Sequence, residues 1–109
     1  MTRASMPTTV MSEAAFQRRV MDTAQRLGWL IVHIRPARTA SGWVTAYEGD
    51  EGLPDLILAR RGRVLLIELK ADKGRATPAQ LRWLAAAGDN GRLWRPRDWD
   101  TALHELQTL

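Results

Sequence analysis

Residues 53–70 read LPDLILARRGRVLLIELK, and the fold turns on how this stretch pairs with itself. Two apolar runs, 56–59 and 64–69, flank Arg61-Gly62. Apolar runs of this length around a turn signal predict a β-hairpin. Three charged residues interrupt the pattern: Asp55 before the first run, Glu68 near the end of the second and Lys70 after it. With a two-residue loop at Arg61-Gly62, Arg60 pairs with Arg63, Ala59 with Val64, and Asp55 faces Glu68. Directly opposed residues have Cβ atoms about 5 Å apart on one face of the sheet. Alternation along the strand puts Lys70 on that face too. Two carboxylates and an ammonium group then meet at the open end of an apolar hairpin. Carboxylates that close repel each other unless a proton or a cation lies between them. Oxygen-only ligands select a hard cation, Mg²⁺, Mn²⁺ or Ca²⁺. Register is the sensitive step: Arg-Gly is a weaker two-residue turn than Asn-Gly, and a bulged loop shifts the pairing by one.

The chain has 109 residues, which favours one small domain over residues 12–109. Residues 1–11 are expected to form a disordered N-terminal segment, being largely polar with Pro7 and three threonines. A core this small makes dimerisation a natural source of added stability. There are no cysteines, so disulfides and thiolate metal sites are excluded. No apolar run is long enough to span a bilayer, and the N-terminal residues lack the apolar core of a signal peptide. A soluble, intracellular protein that is not secreted is the expectation. The 16 Lys and Arg against 12 Asp and Glu give a net charge of +4, and 14 of the 16 basic residues are Arg. Arg suits bidentate contacts to phosphate, so nucleic acid is a candidate partner.

Outward from the hairpin, Phe16, Val20, Ala24 and Leu27 recur at helical spacing after a Ser12 N-cap, with Gly28 as the C′ residue. Glu13 borders the buried face of this helix, where a first-turn acid also suits the helix dipole. Residues 29–34, WLIVHI, form a strand. His33 in it has no second His at metal-ligand spacing, which argues against zinc. Residues 36–54 form a long connection, functional or mobile, in which 42–47 is a possible short edge strand and Trp43 and Tyr47 could close over the core or stack on bases. Its acids Glu48, Asp50 and Glu51 do not match a calcium loop. Pro54 stiffens the approach to Asp55. Thr77-Pro78 starts a second helix that stops at Gly88, with Leu81, Leu84 and Ala85 expected as its buried face. Its N-terminus follows closely on Lys70, so Gln80 and the free N–H groups could face an anion there. Residues 92–94 form a short strand, and a last helix carries Trp99, Ala102, Leu103 and Leu106 on one face. The fold class is α/β with the order α-β-(loop)-β-β-α-β-α. Trp83 and Trp43 are candidates for contact with a partner or a nucleic acid.

Pro54-Asp55 followed by Glu68-Leu69-Lys70 resembles the active-site signature of the PD-(D/E)XK nuclease superfamily. Gly52-Leu53-Pro54-Asp55-Leu56, Glu68-Leu69-Lys70-Ala71, Gly74, Pro78-Ala79-Gln80 and Trp83-Leu84 resemble its VRR-NUC branch, the virus-type replication-repair nucleases. Glu13 with Gln17, Gly28-Trp29, His33 and residues 93–96 are similar to the same branch, while Leu53 stands where that branch often has an aromatic residue. The resemblance spans about residues 12–106. It implies a restriction-endonuclease-like core, a central mixed β-sheet flanked by helices. Asp55 and Glu68 are then metal ligands for Mg²⁺, or Mn²⁺ in its place, with the Leu69 backbone carbonyl as a third ligand and Glu13 at the edge of the site. Lys70 orients or activates the attacking water and offsets developing charge, and Gln80 positions the water or the scissile phosphate.

The chemistry is coherent from the residues as well. Phosphodiester hydrolysis needs a cation to polarise phosphate and acidify a bound water, and a positive group to offset the charge of the pentavalent state. No cysteine, paired histidine or nucleophile elbow offers a competing mechanism. The leading expectation is a metal-dependent, structure-selective endodeoxyribonuclease. Small stand-alone members of the branch, carried by phages and prophages, resemble Holliday-junction resolvases that act as homodimers. The resemblance therefore implies four-way DNA junctions as substrate and a cytoplasmic location in a bacterial or phage-infected cell. A two-fold symmetric junction calls for two active sites related by a dyad. The alternatives are a nuclease acting on flaps or other branched or duplex DNA, a nucleic-acid-binding module that does not cut, and a domain that kept the fold and lost the chemistry.

Overall fold

The computed structural model describes residues 11–35, 37–44 and 47–109, with positions 37, 38, 43 and 44 described by backbone alone. The expected disorder of residues 1–11 lies, save for Met11, outside the described residues, as does the side chain of Trp43. Helix α1 (Glu13–Arg26) is followed by strand β1 (Leu30–His33), a small hairpin of β2 (Ala37–Thr39) and β3 (Gly42–Val44), and the main hairpin of β4 (Leu56–Arg60) and β5 (Arg63–Leu69). Helix α2 (Pro78–Ala87), a 3₁₀ turn, strand β6 (Gly91–Trp94), a second 3₁₀ turn and helix α3 (Trp99–Thr108) complete the order. The four-stranded sheet runs β1-β4-β5-β6, antiparallel except for β5 and β6. The parallel pair requires a crossover, and α2 supplies it. The architecture is an α/β fold with a central mixed sheet flanked by helices, a restriction-endonuclease-like core.

The main hairpin closes in the two-residue turn. Arg60 pairs with Arg63, Ala59 with Val64 and Leu56 with Ile67. Arg61 and Gly62 both have positive φ, 52° and 78°, the signature of a type I′ turn whose twist matches the strands it joins. The two arginines flanking the turn are drawn apart by backbone acceptors. The Arg60 guanidinium donates to the carbonyls of Leu27 (2.8 Å) and Gln107 (3.2 Å), whereas Arg63 donates to Asp89 O at 2.9 Å.

One sheet face carries Leu56, Leu58, Leu65, Ile67 and Leu69, all fully buried against Phe16, Val20 and Ala24 of α1 and Ala102 and Leu106 of α3. The Trp29 indole locks the layers by donating to Leu106 O at 2.9 Å. Local signals produce these helices as expected. Ser12 Oγ accepts from the Ala15 N–H at 3.1 Å, and Gly28 leaves α1 at φ 87°. The opposite sheet face is covered by α2 over β5 and β6. Its β1 side is open, with Leu30 76% and Val32 54% exposed, as is Val64 of β5 at 48%.

Two expectations are corrected. The connection 36–54 holds a strand pair: within the possible edge strand at 42–47, Gly42–Val44 is a strand, but it pairs with β2 in a separate hairpin and not with the main sheet. The buried face of α2 is also not centred on Leu81 and Ala85: Leu81 is half-exposed, Ala85 is exposed, and no α2 residue is fully buried. The inward stripe runs 80, 83, 84 and 87. A polar residue, Gln80, takes the inward position because its amide meets Glu68, and this turns Leu81 outward. Apolar periodicity cannot register an inward-facing glutamine.

Candidate active site

Asp55 and Glu68 lie one step beyond the last paired residues of the β4–β5 ladder, Leu56 and Ile67. Carrying the register on places them opposite each other, on the face that α2 covers. The Asp55 backbone still belongs to the sheet, its carbonyl accepting from the Ile34 N–H at 2.7 Å. Its carboxylate is fixed as well: Oδ2 accepts from the Leu69 N–H at 3.0 Å. Pro54, buried, holds the backbone directly before it.

Glu68 stands on a central strand and is only 1% exposed. Its Oε2 accepts from Lys70 Nζ at 3.0 Å and from Gln80 Nε2 at 3.1 Å. Its Oε1 is buried with no hydrogen-bond partner. The pKa of this carboxyl is raised to about 7: burial is the largest cause, the negative charge of Asp55 and a hydrogen bond shared with it add to the rise, and the hydrogen bond and charge of the Lys70 ammonium oppose it. A buried carboxylate oxygen without a partner is costly, on the order of 1–3 kcal/mol or more. A proton shared with Asp55 would satisfy it, as would a cation held between the two carboxylates. Two carboxylates with oxygen-only donors fit a hard divalent cation such as Mg²⁺ or Mn²⁺.

Gln80 is held at both ends. Its Oε1 accepts from the Thr77 N–H at 2.9 Å while its own N–H donates to Thr77 Oγ1 at 3.1 Å, a complete capping box with Pro78 in the first turn. That leaves the amide NH₂ for Glu68. The start of α2 is thus hydrogen-bonded to the Glu68 face of β5.

The structure brings Asp55, Glu68, Lys70 and Gln80 together. Leu69, expected to lend its carbonyl, is buried between Glu68 and Lys70 with its N–H held by Asp55. Glu13 is not gathered with them. It is exposed in the first turn of α1, and among the described residues no three His, Asp or Glu side chains form a group that could hold a metal. His33 ends β1 opposite Leu56, with Nδ1 3.2 Å from Gln17 Nε2 on α1. Burial lowers its pKa, Asp55 pulls it up, and Arg35 and Arg18 lower it further. It therefore borders Asp55 as a neutral ring.

Three residues support the site through contacts that the sequence did not predict. Gly52, at φ 91°, lies against the start of α2 so closely that a Cβ would sit 2.4 Å from the Ala79 carbonyl carbon and 2.7 Å from Gln80 N. The Trp83 indole N–H donates to Glu51 O at 2.9 Å, tying the same loop to the same helix. Arg95, just past β6, donates to the carbonyls of Ala71 and Gly74 and so braces the turn between Lys70 and α2. All three stand in segments that carry the family resemblance, but the resemblance did not say what they touch.

A mixed sheet that presents Asp, Glu and Lys at the end of its main hairpin, with a helix closing over them, has the design of a PD-(D/E)XK nuclease. The VRR-NUC domain model matches residues 8–93, and the chain belongs to that family. It is accordingly a nuclease domain, a hydrolase of the PD-(D/E)XK type. No match was found among curated proteins or solved structures.

Proposed function

We propose that the protein is a Mg²⁺- or Mn²⁺-dependent, structure-selective endodeoxyribonuclease that resolves four-way DNA junctions as a homodimer. The observation that carries the catalytic reading is the Glu68 carboxylate, buried beside Asp55, paired through one oxygen to Lys70 and Gln80 and unpartnered at the other. Asp55 and Glu68 would hold the cation, with the Leu69 carbonyl completing the set. A bound divalent cation supplies Lewis acidity, offsetting phosphate charge and acidifying water. Lys70 places its ammonium where negative charge builds on the phosphoryl oxygens as water attacks phosphorus. Gln80 keeps Glu68 aimed through its amide. Cleavage of the P–O3′ bond leaves a 5′-phosphate and a 3′-hydroxyl, as the resemblance to the superfamily implies.

Support for a homodimer comes from the open sheet face, where Leu30, Val32 and Val64 are about half or more exposed. Contiguous exposed apolar side chains mark interaction surfaces, and a dyad through this face would give a junction two cutting sites. The basic composition supports DNA as substrate.

The test is cleavage of labelled four-way junctions, flaps, linear duplex and single strands, with Mg²⁺, Mn²⁺ or EDTA. Paired, symmetric junction cuts with either metal and none in EDTA are expected, and Asp55→Asn and Glu68→Gln abolish them while binding persists. Cutting confined to flaps or ends removes the resolvase reading and leaves the nuclease. DNA binding without cleavage of any substrate would make the domain a binding module.

A further inference from the structure

Beside the face that carries Asp55 and Glu68, between the 50–51 loop and one flank of α2, lies a groove of about 340 Å³. Its walls are the Trp83 indole, the small side chains of Ala79 and Ala86, and Asp50, Glu51 and Arg82. Three features set its chemistry. The indole is anchored to the loop, its N–H donating to Glu51 O at 2.9 Å. The alanines leave flat space beside the ring. The rim is acidic on the loop side, which disfavours phosphate and offers acceptors to exocyclic amino groups, while Arg82 marks the opposite side with positive charge. The groove is next to the site itself, since Gly52 abuts both Ala79 and Gln80. Helix α2 is apolar at eight of its ten positions yet has no fully buried residue, so this flank lacks the cover such a helix ordinarily has.

We infer that this groove takes an unpaired nucleobase of branched DNA, stacked on Trp83, next to the phosphodiester to be cut. The inference rests on the nuclease reading and deepens it. Every base has a π-face, so stacking is tolerant of sequence. A base enters only where it is already unpaired, in a flap or a gap, or where interrupted stacking lets a pair open, at a junction crossover. The groove would thereby give the enzyme a preference for DNA structure without reading sequence, and Asp50 and Glu51 would repel the continuous phosphates of intact duplex.

The experiment measures binding in EDTA, so that it stands apart from cleavage. Four-way junctions carrying 2-aminopurine at the crossover are titrated with wild type, Trp83→Phe and Trp83→Leu, alongside linear duplex. Wild type is expected to quench the 2-aminopurine. Trp83→Phe keeps an aromatic face and should retain most of the quenching and affinity although it loses the bond to Glu51. Trp83→Leu should lose the quenching and about tenfold in junction affinity, while duplex affinity is unchanged. Equal losses in both variants, or equal losses on junction and duplex, would overturn the inference, since the indole would then act as a tether for the loop. If Trp83→Leu instead changes the oligomeric state in sedimentation and leaves the fluorescence alone, a second copy of the chain fills the groove and the inference is wrong. Should wild type quench normally but cut nothing with Mg²⁺ or Mn²⁺, the nuclease reading fails and the base site stands.

Discussion

Glu68 combines features that stability alone would select against. It is buried on a central strand with an acid beside it and one oxygen unpartnered. Its pKa is raised from 4.5 to about 7. The folded state therefore holds this proton more tightly than the unfolded chain does. The stability so gained is full below the unfolded value and is lost as pH rises through the folded one. In EDTA, thermal unfolding should show stability falling between about pH 4.5 and 7, by on the order of 2 kcal/mol. Glu68→Gln should flatten that fall. His33, whose pKa is lowered by burial, has the opposite slope, so comparison of wild type with the variant cancels its share. Mg²⁺ should restore wild type, and not Glu68→Gln, at pH 8. An identical pH slope in the two proteins would show that Glu68 is not the group responsible.

At the scale of elements, the start of α2 and the loop before Asp55 act as one support. The capping box spends Gln80 Oε1 on Thr77 and aims the amide NH₂ at Glu68. A glutamate at position 80 would cap as well, but would set a third carboxylate against Glu68. Gln80→Glu should thus keep its melting temperature at acid pH and lose cleavage by two orders of magnitude or so, roughly the scale of a lost positioning contact. Thr77→Ala should cost about 1 kcal/mol of stability and reduce cleavage far less. Gly52→Ala tests the other half of the support. Its Cβ would fall 2.4 Å from the Ala79 backbone and its φ of 91° is strained for alanine. Denaturant unfolding should register a loss of about 1–3 kcal/mol. Cleavage should fall further than that loss of stability explains, because Asp55 and Gln80 separate together.

For the whole molecule, the sheet is covered fully on one face by α1 and α3 and on the other only where α2 lies. The exposed strip at Leu30 and Val32 belongs to β1, an edge strand of the main sheet. Val32→Glu places a charge in the strip, pointing away from the core. If the wild type pairs through this strip as proposed, sedimentation should show it as a dimer and Val32→Glu as a monomer, with the fold intact by circular dichroism. Junction products should shift from paired to single-strand cuts. A wild-type protein that sediments as a monomer at micromolar concentration would remove the dimer reading while leaving each catalytic site untouched.

The hairpin, its two-residue turn and the facing of Asp55 by Glu68 were legible in the chain, because strand alternation and turn chemistry are local. The same holds for the caps at Ser12, Gly28 and Thr77. Even the opposed carboxylates follow from counting outward from Arg61-Gly62. Gln80 was legible as a neighbour of the site, but its inward aim was not, since apolar periodicity pointed to Leu81 and Ala85. The pairing of β2 with β3 was missed because short strands lack a pattern of their own. Glu13 looked close by helical position yet stands in the open. The close approach of Gly52 to Ala79, the Trp83 bond to Glu51 and the Arg95 brace each join residues more than 20 positions apart. Local sequence determined which chemistry the chain carries and on which strand face it lies. Only packing of α2 across the sheet decided what surrounds that chemistry, because burial and long-range hydrogen bonds depend on where distant segments meet.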